Sequence, residues 1–251
     1  MSSEKATAIV LYSIDFSESS SVVTLFTREF GKVRGLAKGA RRLKGPFESA
    51  LDLLAISRIV FLRKSSDALN LVTEAKLERR FRPAKGNLSA LYAAYYVAEL
   101  LNELTDDFDP HPELFDAADR ALLALSGSGS TASLTLQFEL NVLRILGHLP
   151  AWKDCVECGR PIEVVGRVAF GQLAGGVLCA KCRAGHKQVV SLSPAALGLL
   201  ATWSIPSSTA IVDGATPQAG TLGEAGAVVR RYISHLLGHL PRMHRYLKAE
   251  L

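Results

Sequence analysis

The chain has no apolar run approaching the roughly 18 residues that a membrane span needs. No apolar segment follows Met1-Ser-Ser-Glu-Lys5 as the core of a secretory signal, so a cytoplasmic location without membrane association is expected. The glycine loops that cradle phosphates are also missing, since there is neither a Walker A sequence nor a G-x-G-x-x-G. Neither G-x-S-x-G nor His-Glu-x-x-His occurs, which removes the nucleophile elbow and the common zinc-protease motif. The six histidines are scattered, and no nucleophile stands beside a base. The chain lacks the parts of a cofactor-dependent or hydrolytic enzyme, and no catalytic residue is assigned. No internal repeat interrupts the pattern.

Acidic residues are scarce in one region only. Residues 1–85 hold 16 Lys or Arg against 9 Asp or Glu, whereas residues 86–251 hold 13 against 15. The formal net charge of +5 is therefore concentrated in the N-terminal third, which points to an anionic partner there. With 48% hydrophobic and 21% charged residues in 251, the composition is that of an ordinary globular protein of one to three domains.

The basic excess centres on residues 25–45, where seven Lys or Arg fall between Arg28 and Lys44 against the single acid Glu29. Residues 6–14, 22–27 and 32–37 read as strands rich in β-branched residues. Asp15 to Ser20 is turn material, and Gly31 supplies the positive φ of a tight hairpin. Two more strands are predicted over 51–62 and 69–75. Five short strands in about 80 residues, with an excursion between the third and fourth, predict a closed barrel of the OB type. Basic residues on such a surface read as phosphate contacts. Tyr12, Phe26, Phe30 and Phe61 are candidates either for base stacking or for filling the barrel core.

The period then changes to helical. Asn87 caps a helix over 88–104, Pro112 opens a second through Leu125, and 134–146 forms a third after the break Ser126-Gly-Ser-Gly-Ser130. Ser193-Pro194 opens a further helix through Trp203, and 224–240 forms a helix stopped by Pro241. The expected architecture is α+β: an N-terminal five-stranded OB-type β-barrel over 1–82, then a mainly α-helical domain over 83–251 with an inserted four-cysteine zinc knuckle at about 150–190.

The four cysteines form one pattern, Cys155-x2-Cys158 and Cys179-x2-Cys182. Each pair places two sulfurs on a tight knuckle, and Ile162 to Gly176 reads as a hairpin holding the knuckles together. Four thiolates satisfy a tetrahedral Zn²⁺, one per chain, and close its coordination sphere, so the metal is structural. Disulfides are one competing reading, which a cytosolic chain disfavours, and redox CxxC chemistry is another, set aside because two pairs at this spacing ask for a metal. His186 lies close enough in sequence to replace a ligand, but a solvated histidine is the favoured reading.

Asp15-Phe-Ser-Glu-Ser-Ser20, Val23-Thr-Leu-Phe-Thr-Arg-Glu-Phe-Gly-Lys32 and Ala37-Lys-Gly-Ala-Arg-Arg42 resemble the N-terminal signature of the RecO family of bacterial recombination mediators. The resemblance covers essentially the whole chain and is strongest over 8–44 and 150–185. It implies a non-enzymatic DNA repair and recombination mediator that binds single- and double-stranded DNA and anneals complementary strands. Such a protein helps recombinase load onto DNA coated by single-stranded DNA-binding protein. It implies RecR and the acidic C-terminal tail of single-stranded DNA-binding protein as partners, and a nucleoid-associated place in the cytoplasm. By resemblance, Lys32, Arg34, Lys38, Arg41, Arg42 and Lys44 are the candidate DNA contacts, and Cys155, Cys158, Cys179 and Cys182 the zinc ligands. A zinc-stabilised OB-fold RNA-binding or RNA-processing factor is the alternative, because a basic barrel does not by itself choose between DNA and RNA.

Overall fold

The computed structural model describes residues 2–42, 47, 49–64, 68–206 and 217–247. By contact the chain divides into two compact units, 1–128 and 129–251. The change of sequence period marks a boundary at 82/83, and the two helices that follow it pack on the strands that precede it.

In the first unit the strands are β1 (Ser2–Asp15), β2 (Ser21–Thr27), β3 (Gly31–Ala37), β4 (Ile56–Arg63) and β5 (Asn70–Arg79). β1 pairs antiparallel with both β2 and β4, β2 with β3, and β4 with β5. β3 meets β5 in parallel through Gly35–Ala37, so the ring closes into a five-stranded barrel in the order β1-β2-β3-β5-β4. Alternate residues point inward, and Ala6, Ala8, Val10, Val23, Leu25, Val33, Ile59, Phe61 and Val72 fill the interior. The apolar run from Leu51 predicts one long strand, yet only Ile56 onward is strand. Leu51 and Ala55 join the core from turns instead. The amide of Leu54 donates to Val10 O at 2.9 Å, and the Val10 amide donates to Ala55 O at 3.0 Å. A buried apolar turn and a buried strand share the same hydropathy, so period alone does not separate them.

A bulge between Val10 and Tyr12 shifts the β1–β2 register from Ile9↔Phe26 to Tyr12↔Thr24. The extra residue resets the alternation, so Ile9, Tyr12 and Ile14 all sit on the outer face. The helices α1 (Leu88–Leu104) and α2 (Pro112–Leu125) cover the part of that face holding Ile9, Leu11 and Phe26, all buried. Both occupy the predicted residues. Asn87 caps α1 by accepting from the Ala90 amide at 2.9 Å. Phe115 of α2 stacks on Phe26 at 6.4 Å. Two arginine–carboxylate pairs bind α2 to the strands: Arg28 to both oxygens of Asp116 at 2.8 and 3.0 Å, and Arg79 to Asp119.

The second unit contains α3 (Thr131–Ile145), β6 (Val168–Gly171), β7 (Gly176–Leu178), the short α4 (Ala180–Arg183), β8 (Val189–Leu192), α5 (Pro194–Trp203), α6 (Ala219–Leu237) and a 3₁₀ turn over Arg242–Tyr246. The predicted hairpin corresponds to β6 and β7, and the sheet gains an unforeseen third strand in the order β7-β6-β8. Trp152 stacks on Phe170 at 5.2 Å, and its indole N–H donates to Ser204 Oγ at 2.9 Å. The helix predicted to stop at Pro241 ends three residues earlier, at Gly238 with φ 75°, because a left-handed C-cap satisfies the last carbonyls before proline is reached. Glu224 of α6 accepts from the Ser193 amide at 3.0 Å and from Arg167 Nη2 at 2.6 Å, joining α6 to the start of α5.

Candidate nucleic-acid face and metal centre

The basic residues of 28–44 do not share one environment. Lys32 is 5% exposed. Its ammonium donates to Asn102 O at 2.7 Å and Thr105 O at 2.5 Å, and Asp107 lies 3.8 Å away. α1 has no basic residue in its own last turn, so Lys32 supplies from the barrel the cation that the negative end of the helix attracts. Burial pulls its pKa below the ordinary lysine value, with Asp107 opposing. Lys32 is therefore a structural cap and not an accessible phosphate contact, contrary to the sequence expectation; an outward position on β3 proved to lie beneath a helix end. The Phe108 amide donates to Lys32 O at 2.9 Å, so segment 105–109 also covers the edge of β3 that β5 leaves unpaired.

The other described candidates lie where the helices do not reach. Register places Tyr12, Thr24 and Arg34 in one row across β1, β2 and β3, and Ile14, Val22 and Leu36 in the next. Arg34 is exposed and faces Asp107 at 3.5 Å. Lys38 and Arg42 are exposed at the two ends of a turn closed by the Arg42 amide donating to Gly39 O at 3.1 Å. Arg41 is exposed but engaged. Its amide donates to Ser19 O at 3.2 Å, and its guanidinium reaches Ser17 O at 3.3 Å and Asp15 at 3.2 Å. It fastens the β1–β2 loop to the basic turn. Lys44 lies outside the described residues.

Among the aromatic candidates, Phe26 and Phe61 are fully buried, and Phe30 packs edge-on against Phe61 at 5.5 Å. These three fill interior space. Tyr12 alone of the four is open, at 54% exposure, and Phe16 beside it is 66% exposed. Phe16 was legible only as a large aromatic stranded among turn residues, a position where polar side chains are the rule.

The cysteine centre is built by two backbone turns. In the first, the Gly159 amide donates to Cys155 O and the Cys155 amide to Arg160 O, both at 2.8 Å. In the second, β7 leads into Cys179, whose carbonyl accepts from the Cys182 amide at 3.1 Å. The Val156 amide donates to Val177 O at 3.0 Å, joining the knuckles, and the Cys179 amide points at Cys155 Sγ at 3.4 Å. All four sulfurs lie within 4.8 Å of one another, and none forms a disulfide. Cys158 and Cys179 are 3.9 Å apart between sulfurs, against about 3.8 Å along the edge of a tetrahedron with ~2.3 Å zinc–sulfur bonds. The residues fit such an ion.

The electrostatics point the same way. Burial resists ionisation of Cys155, but the amides of Cys179, Cys158 and Glu157 bring its thiol down to about 6. Cys182, hydrogen-bonded to Cys179 and partly buried, is pushed up to about 12. Four thiols this close ionise together only when a cation shares their charge. Arg160, hydrogen-bonded to Cys158, adds positive charge at the rim. His186 pairs with Glu157 at 3.2 Å and does not join the cluster.

Comparison with known proteins covers both units. Residues 1–81 match the family model described as Recombination protein O N terminal, and residues 85–245 match Recombination protein O C terminal. The chain is 41% identical over 266 aligned positions to a DNA repair protein RecO of Rhodopirellula baltica, covering 97% of this chain and 98% of that one. It is 35% identical to a DNA repair protein RecO of Anaeromyxobacter dehalogenans, covering 98% and 96%. For a protein of the same description from Myxococcus xanthus the identity is 33%, covering 92% and 91%.

Proposed function

The chain belongs to the Recombination protein O family of DNA repair proteins, and from that premise we propose that it is a non-enzymatic DNA-binding recombination mediator. It binds single- and double-stranded DNA on the open barrel face, anneals complementary strands and helps recombinase load onto DNA coated by single-stranded DNA-binding protein. RecR and the acidic tail of single-stranded DNA-binding protein are its expected partners, and the barrel is of the OB type. Among the described residues no helix is long and apolar enough to cross a membrane, in keeping with work on DNA in the cytoplasm.

The observation that carries this reading is the uncovered outer face, where Arg34, Lys38, Arg41 and Arg42 lie on one side of the barrel beside the open ring of Tyr12. Cations along such a face neutralise successive phosphates and release their counterions. Lys32 drops out of the contact set because it is buried. Cys155, Cys158, Cys179 and Cys182 hold one Zn²⁺. When bound, the ion crosslinks the two knuckles and, having four thiolates, offers no open position for substrate. The residues around it supply amide donors and the Arg160 charge.

Fluorescence anisotropy against labelled DNA across a salt series tests the reading. Binding should weaken steeply with salt. Replacing Arg34, Lys38 and Arg42 by Ala should weaken it for every sequence and flatten the slope by about 0.7 per lost contact on single strands. Affinity that ignores salt would overturn it, and a matched RNA strand that wins in competition would transfer the face to the RNA-binding alternative.

A further inference from the structure

The uncovered barrel face carries more than charge. Resting on the DNA-binding reading above, we propose that Tyr12 and Phe16, with Ile14 between them, form a base-stacking platform that makes this face selective for unpaired DNA over duplex.

Tyr12, Ile14 and Phe16 are 54%, 53% and 66% exposed. Tyr12 and Ile14 follow one another at the two-residue period of β1, so they emerge on the same side, and Phe16 follows at the first residue of the loop beyond the strand. The β1 bulge is what turns Tyr12 and Ile14 outward, by moving the register from Val10↔Leu25 to Tyr12↔Thr24. Three adjacent large apolar side chains left in water contribute little to folding, and a patch of this kind marks a binding surface.

Phe16 is also held in place. Its amide donates to Ser20 O at 2.9 Å, closing the loop that carries it. Arg41 then ties that loop to the basic turn through Ser19 O, Ser17 O and Asp15. Arg41 thus acts as a positioning residue for Phe16 as well as a cation. The result is a loop whose backbone is held at Phe16 and tied to the basic turn that carries Lys38 and Arg42.

Cations and aromatics make separable demands on a ligand. Phosphates are offered by one strand and by two, more densely by the duplex. Ring faces are offered only by bases that are not already stacked in a duplex. A face combining both holds single strands through two terms and duplex through one. Apolar residues flanked by basic ones on a rigid sheet fit a polyanion with flat apolar groups, and unpaired DNA is such a molecule.

The test is anisotropy on the full chain with three labelled probes of matched length: a 20-nucleotide oligo-dT, an abasic phosphodiester strand of the same charge, and a 20-base-pair duplex. Wild type should bind oligo-dT about tenfold or more tighter than the abasic strand. Tyr12→Ala and Phe16→Ala should each weaken oligo-dT binding by about tenfold, leave its salt slope and the other two probes unchanged, and keep the wild-type melting temperature. Phe16→Trp should retain binding. Equal wild-type affinities for oligo-dT and the abasic strand would overturn the stacking platform while leaving the phosphate-binding face intact. So would alanine variants that bind oligo-dT as wild type does. Failure of all three probes to bind in a salt-dependent way would instead defeat the DNA-binding reading, and this inference with it.

Discussion

The ammonium of Lys32 lies 2.5 Å from the carbonyl oxygen of Thr105, 73 residues away in sequence. The contact joins the β2–β3 hairpin of the barrel to the C-terminal end of α1. It also separates Lys32, buried beneath a helix end, from the other described cations of the basic stretch, which remain on the surface.

Replacing Lys32 by Met keeps the aliphatic stem but leaves the carbonyls of Asn102 and Thr105 without their charged donor. The expected loss is about 2 kcal/mol of stability, measured by denaturant unfolding. DNA affinity of the folded fraction should stay within about twofold. A large affinity loss at unchanged stability would mean that Lys32 reaches DNA after all.

Gly31 has φ 69°, and a Cβ there would fall onto the Asp109 carbonyl. Gly31→Ala should therefore cost about 2 to 4 kcal/mol, combining left-handed backbone strain with displacement of the covering segment. Chemical denaturation, or loss of soluble protein, reads this out. A wild-type midpoint would show that the segment is not held against the hairpin.

The Arg28 guanidinium holds Asp116 below the usual carboxylate range, through its hydrogen bond first and its charge after. A carboxylate with a depressed pKa takes up fewer protons folded than unfolded. Its contribution is complete above about pH 4 and disappears as pH falls through the folded value. Thermal melts at decreasing pH should show this loss in wild type and less of it in Asp116→Asn. The two side chains are well exposed, so the effect should be small and reduced by salt. Parallel pH profiles for the two proteins would remove the pair from the stability balance.

Elemental analysis should find one zinc per chain. Strong chelation or acidification should release it, since protons compete for the thiolates. Cys155→Ser should lower both zinc content and the melting temperature, because Cys155 is the most buried of the four and accepts the Cys179 amide. A zinc-free protein that melts like the zinc-loaded one would reduce the cluster to four neighbouring thiols.

Local chemistry sufficed wherever a short segment contains its own reason. The spacing of the four cysteines announces their cluster, Asn87 and Pro112 announce the starts of α1 and α2, and Gly31 announces its turn. The excess of cations over 28–44 was equally legible, as was the family resemblance in the Phe-Thr-Arg-Glu-Phe-Gly-Lys and Lys-Gly-Ala-Arg-Arg segments. The fate of each cation was not. Lys32 and Arg34 are two residues apart on one strand and share a face. Whether α1 ends over one and not the other depends on packing between segments some 70 residues apart. The same holds for the aromatics: Phe26 is buried by Phe115 from α2, while Tyr12 stays open because a one-residue bulge turns it to a part of the face that none of the described helices covers. Residue types and local elements follow from short segments of the chain. Which of them meet solvent follows from long-range packing, because burial is a property of what packs against a residue and not of the residue alone.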